Sequence, residues 1–326
     1  MTKFYLSKFP TIPTNIRKNR AMALGCIPTI RLNSSYGLTL NVIRRLALKD
    51  MTIEIRTGLR LVADSIFNVV GETAAYLHRM TGFGHLSNPA SNGVLLYHGV
   101  GEPAGTQVFG NISVDRFRSD VRYLVDEFEV VPLREIANQG TTRRIAVTFD
   151  DGLRSVHRNA LPVLREFDVP ATVFVSPGFI GDRNRELLSE RHNIVPSGRT
   201  MMNQDEIAAL VDDPLIDIGN HTRTHPHLGR IESSHMLYDE VVDAKRCLEE
   251  QYGITVESFS YPFGDYNEEA REIVEDSHCV SVLTTPYLVY PPASPHLLPR
   301  ISGHLSPNRL RWELAPLSDT MNRVRY

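Results

Sequence analysis

The stretch RIAVTFDDG, residues 144–152, decides how the rest of the chain is read. The run from Ile145 to Phe149 is apolar apart from one threonine, which predicts a strand buried on both faces. It ends on Asp150, Asp151 and Gly152. Two adjacent carboxylates at the end of an apolar strand repel each other and resist losing water. A pair placed there needs a compensating positive charge.

Similar apolar runs recur on both sides. VLLYH (94–98) precedes it, and ATVFVS (171–176), LIDIG (215–219), SFSYPFG (258–264) and VSVLTT (280–285) follow. Between them lie helix-like segments. In SVDRFRSDVRYLVDEF (113–128), Phe117, Val121 and Leu124 share one face and Ser113 stands where a cap belongs. Further helices are expected around Leu161 and Leu164, over 203–213, over 233–253 with a stop at Gly253, and over 266–276. Alternating strands and helices predict an α/β fold with a parallel sheet or barrel.

The sequence has 326 residues, enough for one large domain with an extension. Its formal net charge of −3 singles out neither nucleic acid nor a membrane surface as main partner. That figure hides an asymmetry: residues 1–90 carry 12 Lys/Arg and 4 Asp/Glu, a net of +8, leaving −11 for the remainder. Residues 1–50 show no sustained period and read as a basic, disordered extension. A targeting segment and translated sequence upstream of an initiator at Met51 are the alternatives. Residues 51–92 hold an amphipathic helix (Ile55, Leu59, Val62, Ile66, Val70) and a Gly/Ser/Asn/Pro linker. The main folded domain is expected over 93–305 and a C-terminal tail over 306–326. Cys26, Cys247 and Cys279 are too scattered for a disulfide framework or a thiolate metal site. No secretory signal is read at the N-terminus, so the expected location is cytoplasmic, with peripheral membrane contact through residues 1–90.

In parallel α/β folds, ligands gather at the carboxyl ends of the strands. Three polar clusters fall at such ends: Asp150–Asp151, GNHTRTHPH (219–227) and His98. The second supplies His221 and His225, with His227 as a neighbour. Two imidazoles and one carboxylate hold a divalent ion while leaving positions open for water and substrate. If Asp151 is the carboxylate ligand, the repulsion at the strand end falls away. Asp150 is then free to act as general base on water activated at the ion.

TFDDG followed by HTRTH resembles the first two motifs of the polysaccharide deacetylases, carbohydrate esterase family 4, over roughly residues 93–303. The resemblance implies a distorted (β/α) barrel and metal-dependent removal of N-acetyl groups from amino sugars. It assigns Asp150 as base and Asp151, His221 and His225 as metal ligands. The third motif, usually Arg-x-Pro-Tyr, stands here as FSYPFGDYN (259–267), a form similar to that of exopolysaccharide poly-N-acetylglucosamine deacetylases. On that likeness the Phe263 backbone N–H serves the oxyanion, and Tyr261 and Pro262 belong to the substrate site. Ser260 replaces the usual Arg, and Arg300 is the substitute by elimination. VLLYH resembles a last motif permuted to the front, which makes His98 the general acid and His304 its competitor. The usual fourth motif is not recognisable.

Together these residues predict a metal-dependent hydrolase of N-acetylated carbohydrate, with Tyr261 and Tyr266 as candidates for stacking on sugar rings. Zinc suits the donor set, and manganese, cobalt and iron remain open. The alternatives are an amidohydrolase of a cyclic ureide or imide, and a non-catalytic carbohydrate-binding relative.

Overall fold

The computed structural model describes residues 73, 91–102, 108–192, 199–315 and 318–319. The expected basic arm and the helix over 55–70 lie outside these residues. Eight parallel strands form one sheet: β1 (Gly93–Tyr97), β2 (Glu129–Val130), β3 (Arg144–Phe149), β4 (Ala171–Val175), β5 (Ile216–Asn220), β6 (Ser258–Ser260), β7 (Val280–Val282) and β8 (Ile301–Ser302). Their spatial order is β7-β6-β5-β4-β3-β1-β8, with β2 paired to the start of β3. Each of β1, β4, β6 and β7 is buried at every residue, as expected of strands covered on both faces.

The two ends of that order approach each other through one short segment. Leu298 bridges Val282 of β7, and Ile301 and Ser302 pair with Leu95 and Leu96 of β1. Residues 298–303 therefore seam the curled sheet into a distorted (β/α) barrel, the fold class that the family resemblance implies and one of the two that the alternating pattern allows. Because every pairing is parallel, the carboxyl ends of β1, β3, β5 and β6 open on the same side.

The helices follow from ordinary sequence signals. Helix α1 (Val114–Glu127) starts where the Ser113 hydroxyl accepts from the Arg116 N–H and buries Phe117, Val121 and Leu124. A π-helical turn at Val156–Ala160 leads into α2 (Leu161–Phe167). Helix α3 (Arg185–His192) has no counterpart among the sequence expectations. Its polar run RELLSERH offers only Leu187 and Leu188 as apolar residues, too few to show a period. Helix α4 (Gln204–Val211) opens on a reciprocal cap between Asn203 and Glu206. The long helix expected over 233–253 is α5 (Ser234–Tyr238) and α6 (Ala244–Tyr252), joined by a π-helical turn at Asp239–Asp243. It ends at Gly253 in the left-handed region, as the glycine predicts. Helix α7 (Glu268–Ser277) is capped by Asn267.

The segment after residue 305 is not a trailing end. Helix α8 (Pro307–Glu313) buries Leu310 and Trp312, and Leu310 joins the main apolar core with Leu314. Apolar spacing within RLRWEL is too short to signal this, which is why it read as tail. Cys247 and Cys279 are free thiols among the described residues. None of the described helices is long and apolar enough to cross a membrane.

Candidate active site

Strand β3 delivers Asp150 and Asp151 to the open end of the barrel. The chain turns there through the left-handed region, with φ of 73° at Asp151 and 69° at Gly152. Aspartate tolerates this conformation better than most residues, and such backbone strain concentrates at working sites. The turn separates the two carboxylates, and each finds its own surroundings.

Asp150 is gripped from below. Arg300 donates from Nη1 to Asp150 Oδ1 and from Nη2 to Oδ2, both at 2.7 Å. The same guanidinium reaches Leu283 O at 2.7 Å through Nε, Thr148 Oγ1 at 3.1 Å and Ser260 Oγ at 2.9 Å. Ser260 Oγ in turn donates to Asp150 Oδ2 at 3.2 Å. Arg300 is among the largest fully buried side chains of the fold. Burial alone would raise the Asp150 carboxyl, but Arg300 and His221 outweigh it and hold it below the ordinary carboxylate range. Seam residue Arg300 thus stands beside the Asp150 carboxylate, where elimination had placed it, and the Ser260 hydroxyl hydrogen-bonds to both.

Asp151 faces imidazoles. Its Oδ1 lies 3.2 Å from His192 Nδ1, 3.5 Å from His221 Nε2 and 3.7 Å from His225 Nε2. His221 follows β5, and its Nδ1–H has a fixed acceptor, Ser260 O at 2.8 Å, which leaves Nε2 as the lone-pair nitrogen. His225 sits at φ 53°, its N–H donating to Thr222 Oγ1 at 2.9 Å, so the HTRTH loop curls back on itself. Burial, with His192 and His221 close by, holds His225 well below the ordinary imidazole range, and it stays neutral, the ligating form. For Asp151, burial opposes ionisation, but His192, His221 and His98 hold the carboxyl well below its usual range. His221 itself is pulled down by burial and more strongly up by Asp150 and Asp151. The pair of carboxylates calls for positive charge.

These residues fit a divalent cation. Ligand atoms around a tetrahedral ion with bonds of about 2.1 Å sit about 3.4 Å apart, and the three separations from Asp151 Oδ1 bracket that spacing. Separations of 3.5 and 3.7 Å are too long for hydrogen bonds. Asp151, His192 and His225 offer ligand atoms that all lie within 4.8 Å of one another. His192 is the member that sequence reading missed. It closes a helix without a periodic signal, and a lone histidine in RELLSERH matches no ligand spacing.

The carboxylates and imidazoles line one cavity of about 660 Å³. His98, at the end of β1, and His304, after β8, form another part of its wall, with the exposed Phe109 ring edge-on to both at 5.5 and 4.9 Å. Burial and the neighbouring His98 hold His304 below the ordinary imidazole range. Phe263 lies in the turn Pro262–Gly264, in the left-handed region at φ 60°, with its half-exposed ring stacked on His227 at 4.0 Å. His227 is fixed by Asp265 at 3.0 Å.

The expected sugar-facing role of Tyr261 needs correction. Its ring is fully buried between Phe259 and Tyr266, at 4.9 and 5.1 Å, and presents no face to the cavity. Pro262 is buried as well, and Tyr266 lies outside the cavity wall. The alternation of a strand puts Ser260 toward Asp150 and sends its neighbour Tyr261 into the core on the other side. The aromatic rings that do reach the cavity are Phe109 and Phe263.

A buried carboxylate pair, one member paired to a guanidinium and the other ringed by imidazoles at the mouth of a (β/α) barrel, is a donor set able to hold a divalent cation beside an ionised carboxylate. Residues 137–280 match the family model described as polysaccharide deacetylase. Among curated proteins, the poly-beta-1,6-N-acetyl-D-glucosamine N-deacetylase of Staphylococcus aureus (strain MRSA252) is 20% identical over 51% of this chain and 58% of its own. The chain spans less than two thirds of the length of the first curated relatives it matches. Among solved structures, IcaB from Ammonifex degensii aligns with a TM-score of 0.57 at 22% identity, covering 69% of this chain and 96% of that one. The Streptococcus pyogenes deacetylase PplD, in complex with acetate, aligns with a TM-score of 0.56 at 21% identity over 70% of this chain and 100% of that one. At these identities the structural likeness speaks for the fold.

Proposed function

We propose that this chain is a metal-dependent hydrolase that removes N-acetyl groups from an amino-sugar polysaccharide or oligosaccharide. The observation that carries the reading is the division of labour between adjacent carboxylates: Asp150 clamped by Arg300 and Ser260, Asp151 surrounded by imidazole nitrogens. The relatives' names point to the same substrate class.

Asp151, His221 and His225 would hold the ion. A divalent ion there would polarise the acetyl carbonyl and make water more acidic. Asp150, kept ionised by Arg300, accepts the proton from that water. Its low basicity suits it only to water already acidified. As water's oxygen bonds to the acetyl carbon, the backbone N–H of Phe263 is the donor for the developing oxyanion. Such donors contribute roughly 3–4 kcal/mol. His98 protonates the departing nitrogen as the C–N bond breaks, giving acetate and a free sugar amine. His304 competes for this role, but burial and the neighbouring His98 hold it below the ordinary imidazole range.

Acetate release from β-1,6- and β-1,4-linked N-acetylglucosamine oligomers tests the reading. The zinc-loaded protein is expected to release acetate, and Asp150→Asn to lose at least about a hundredfold in kcat. No acetate from a zinc-loaded, folded protein, with ring opening of a cyclic imide instead, would replace the sugar substrate. Sugar binding without turnover or metal dependence would leave a binding protein. Cytoplasmic residence with membrane contact through residues 1–90 is proposed on charge alone. Salt-sensitive binding to anionic vesicles, lost on deleting 1–90, is the expected result.

A further inference from the structure

We infer that His192 is a further protein ligand of the metal, giving this chain an Asp–His–His–His centre. The inference rests on the metal dependence proposed above.

His192 closes α3, an element outside the sheet, yet its side chain is almost fully buried beside the carboxylates. Of the three imidazoles around Asp151 Oδ1, His192 comes nearest, at 3.2 Å against 3.5 and 3.7 Å. The ligand atoms of Asp151, His192 and His225 all lie within 4.8 Å of one another, a set that does not include His221, so His192 shares a donor cluster with Asp151 and His225. Its ring stacks on His225 at 3.9 Å with 30° between planes, and both rings turn a nitrogen toward the same Asp151 oxygen. Phe179 meets the ring edge-on at 5.1 Å and limits its swing. Nε2 of His192 is buried without a partner, so the ring's only polar anchor lies on the Asp151 side.

Hydrogen bonding alone accounts poorly for the arrangement. One carboxylate oxygen has two lone pairs, and three nitrogens surround it at 3.2 to 3.7 Å. The mutually close donor atoms of Asp151, His192 and His225 are explained by one cation bound among them. A carboxylate with three imidazoles fills a tetrahedral shell, and water and substrate then require expansion to five ligands. The chain would retain its ion when zinc is scarce, with fewer positions open for chemistry.

The test compares zinc affinity, by competition with a chromophoric chelator, in the full chain, His192→Phe, His192→Ala and Asp151→Ala. His192→Phe keeps an aromatic ring between Phe179 and His225, so melting of the metal-free forms separates folding from ligation. The expected result is a roughly tenfold or greater rise in Kd for both His192 variants. X-ray absorption should count three imidazoles on zinc in the parent and two in His192→Phe, and the cobalt form should change its visible spectrum. A Kd within twofold, two imidazoles in both proteins and an unchanged cobalt spectrum would overturn the inference. If Asp151→Ala still abolishes that binding, the proposed function stands without it. No zinc binding by a folded parent overturns both.

Discussion

Replacing Arg300 by Met removes the counter-charge from Asp150 while keeping much of the buried volume. In the metal-free protein the loss falls on two hydrogen bonds of 2.7 Å to the carboxylate and one each to Ser260, Thr148 and Leu283 O. Breaking one side of a buried ion pair costs about 3–5 kcal/mol, because the remaining charge keeps its burial and loses its partner. The pH dependence gives a sharper test. In the parent, the Asp150 carboxyl lies below its ordinary value, so its contribution to stability is present above the unfolded pKa and lost as pH falls through the folded one. In Arg300→Met, burial acts with less opposition and raises the group, reversing the sign: that variant loses stability as pH rises through the raised value. The gap between the two proteins is therefore widest near pH 7 and narrows toward pH 4. Urea unfolding at several pH values, with chelator present, measures it. A gap below about 1 kcal/mol at pH 7, or one that does not narrow, would refute the account of Asp150 as a charge held by Arg300.

Other consequences can be measured with similar means. His278 is buried, and burial with Lys245 nearby lowers it to about 3. The unfolded chain takes up a proton near pH 6.5 while the native one does not, so stability falls between pH 6.5 and 3, by about 2 kcal/mol at pH 5. His278→Asn should flatten that part of the curve in urea titrations. At Gly219, two residues before His221, an added Cβ would lie 2.3 Å from the Phe174 ring. Gly219→Ala should cost about 1–3 kcal/mol by thermal melting and weaken zinc binding through displacement of β5. Zinc at a hundred times its Kd should raise parent stability by about 2.7 kcal/mol, an increment that Asp151→Asn abolishes in the same melts.

Much of this architecture was legible because parallel strands are buried on both faces and announce themselves as apolar runs. The run RIAVTF and the cap at Ser113 correspond to β3 and α1 almost residue for residue. Asp150, Asp151, His221 and His225 were legible because strand ends converge, so polar clusters at such ends share one space. His192 was not, since its helix carries no periodic stripe and its approach to Asp151 is purely tertiary. Tyr261 failed for a local reason. An aromatic residue beside a loop suggests exposure, but Tyr261 directly follows β6 and turns into the core opposite Ser260. Trp312 and Leu310 were misread as tail because a short helix shows too little of its period to be recognised.

The seam of the barrel also imposes an order in time. Asp150 and its guanidinium partner are 150 residues apart in the chain. At ribosomal rates that separation corresponds to roughly 8 to 30 seconds of synthesis. Throughout that interval β3 has emerged with Asp150 at its end and without the guanidinium that receives it. Burying that carboxylate early would be opposed by desolvation. The last segment of the seam to be made then carries the counter-charge, and a chain released before Arg300 would retain Asp150 but lack its ion-pair partner.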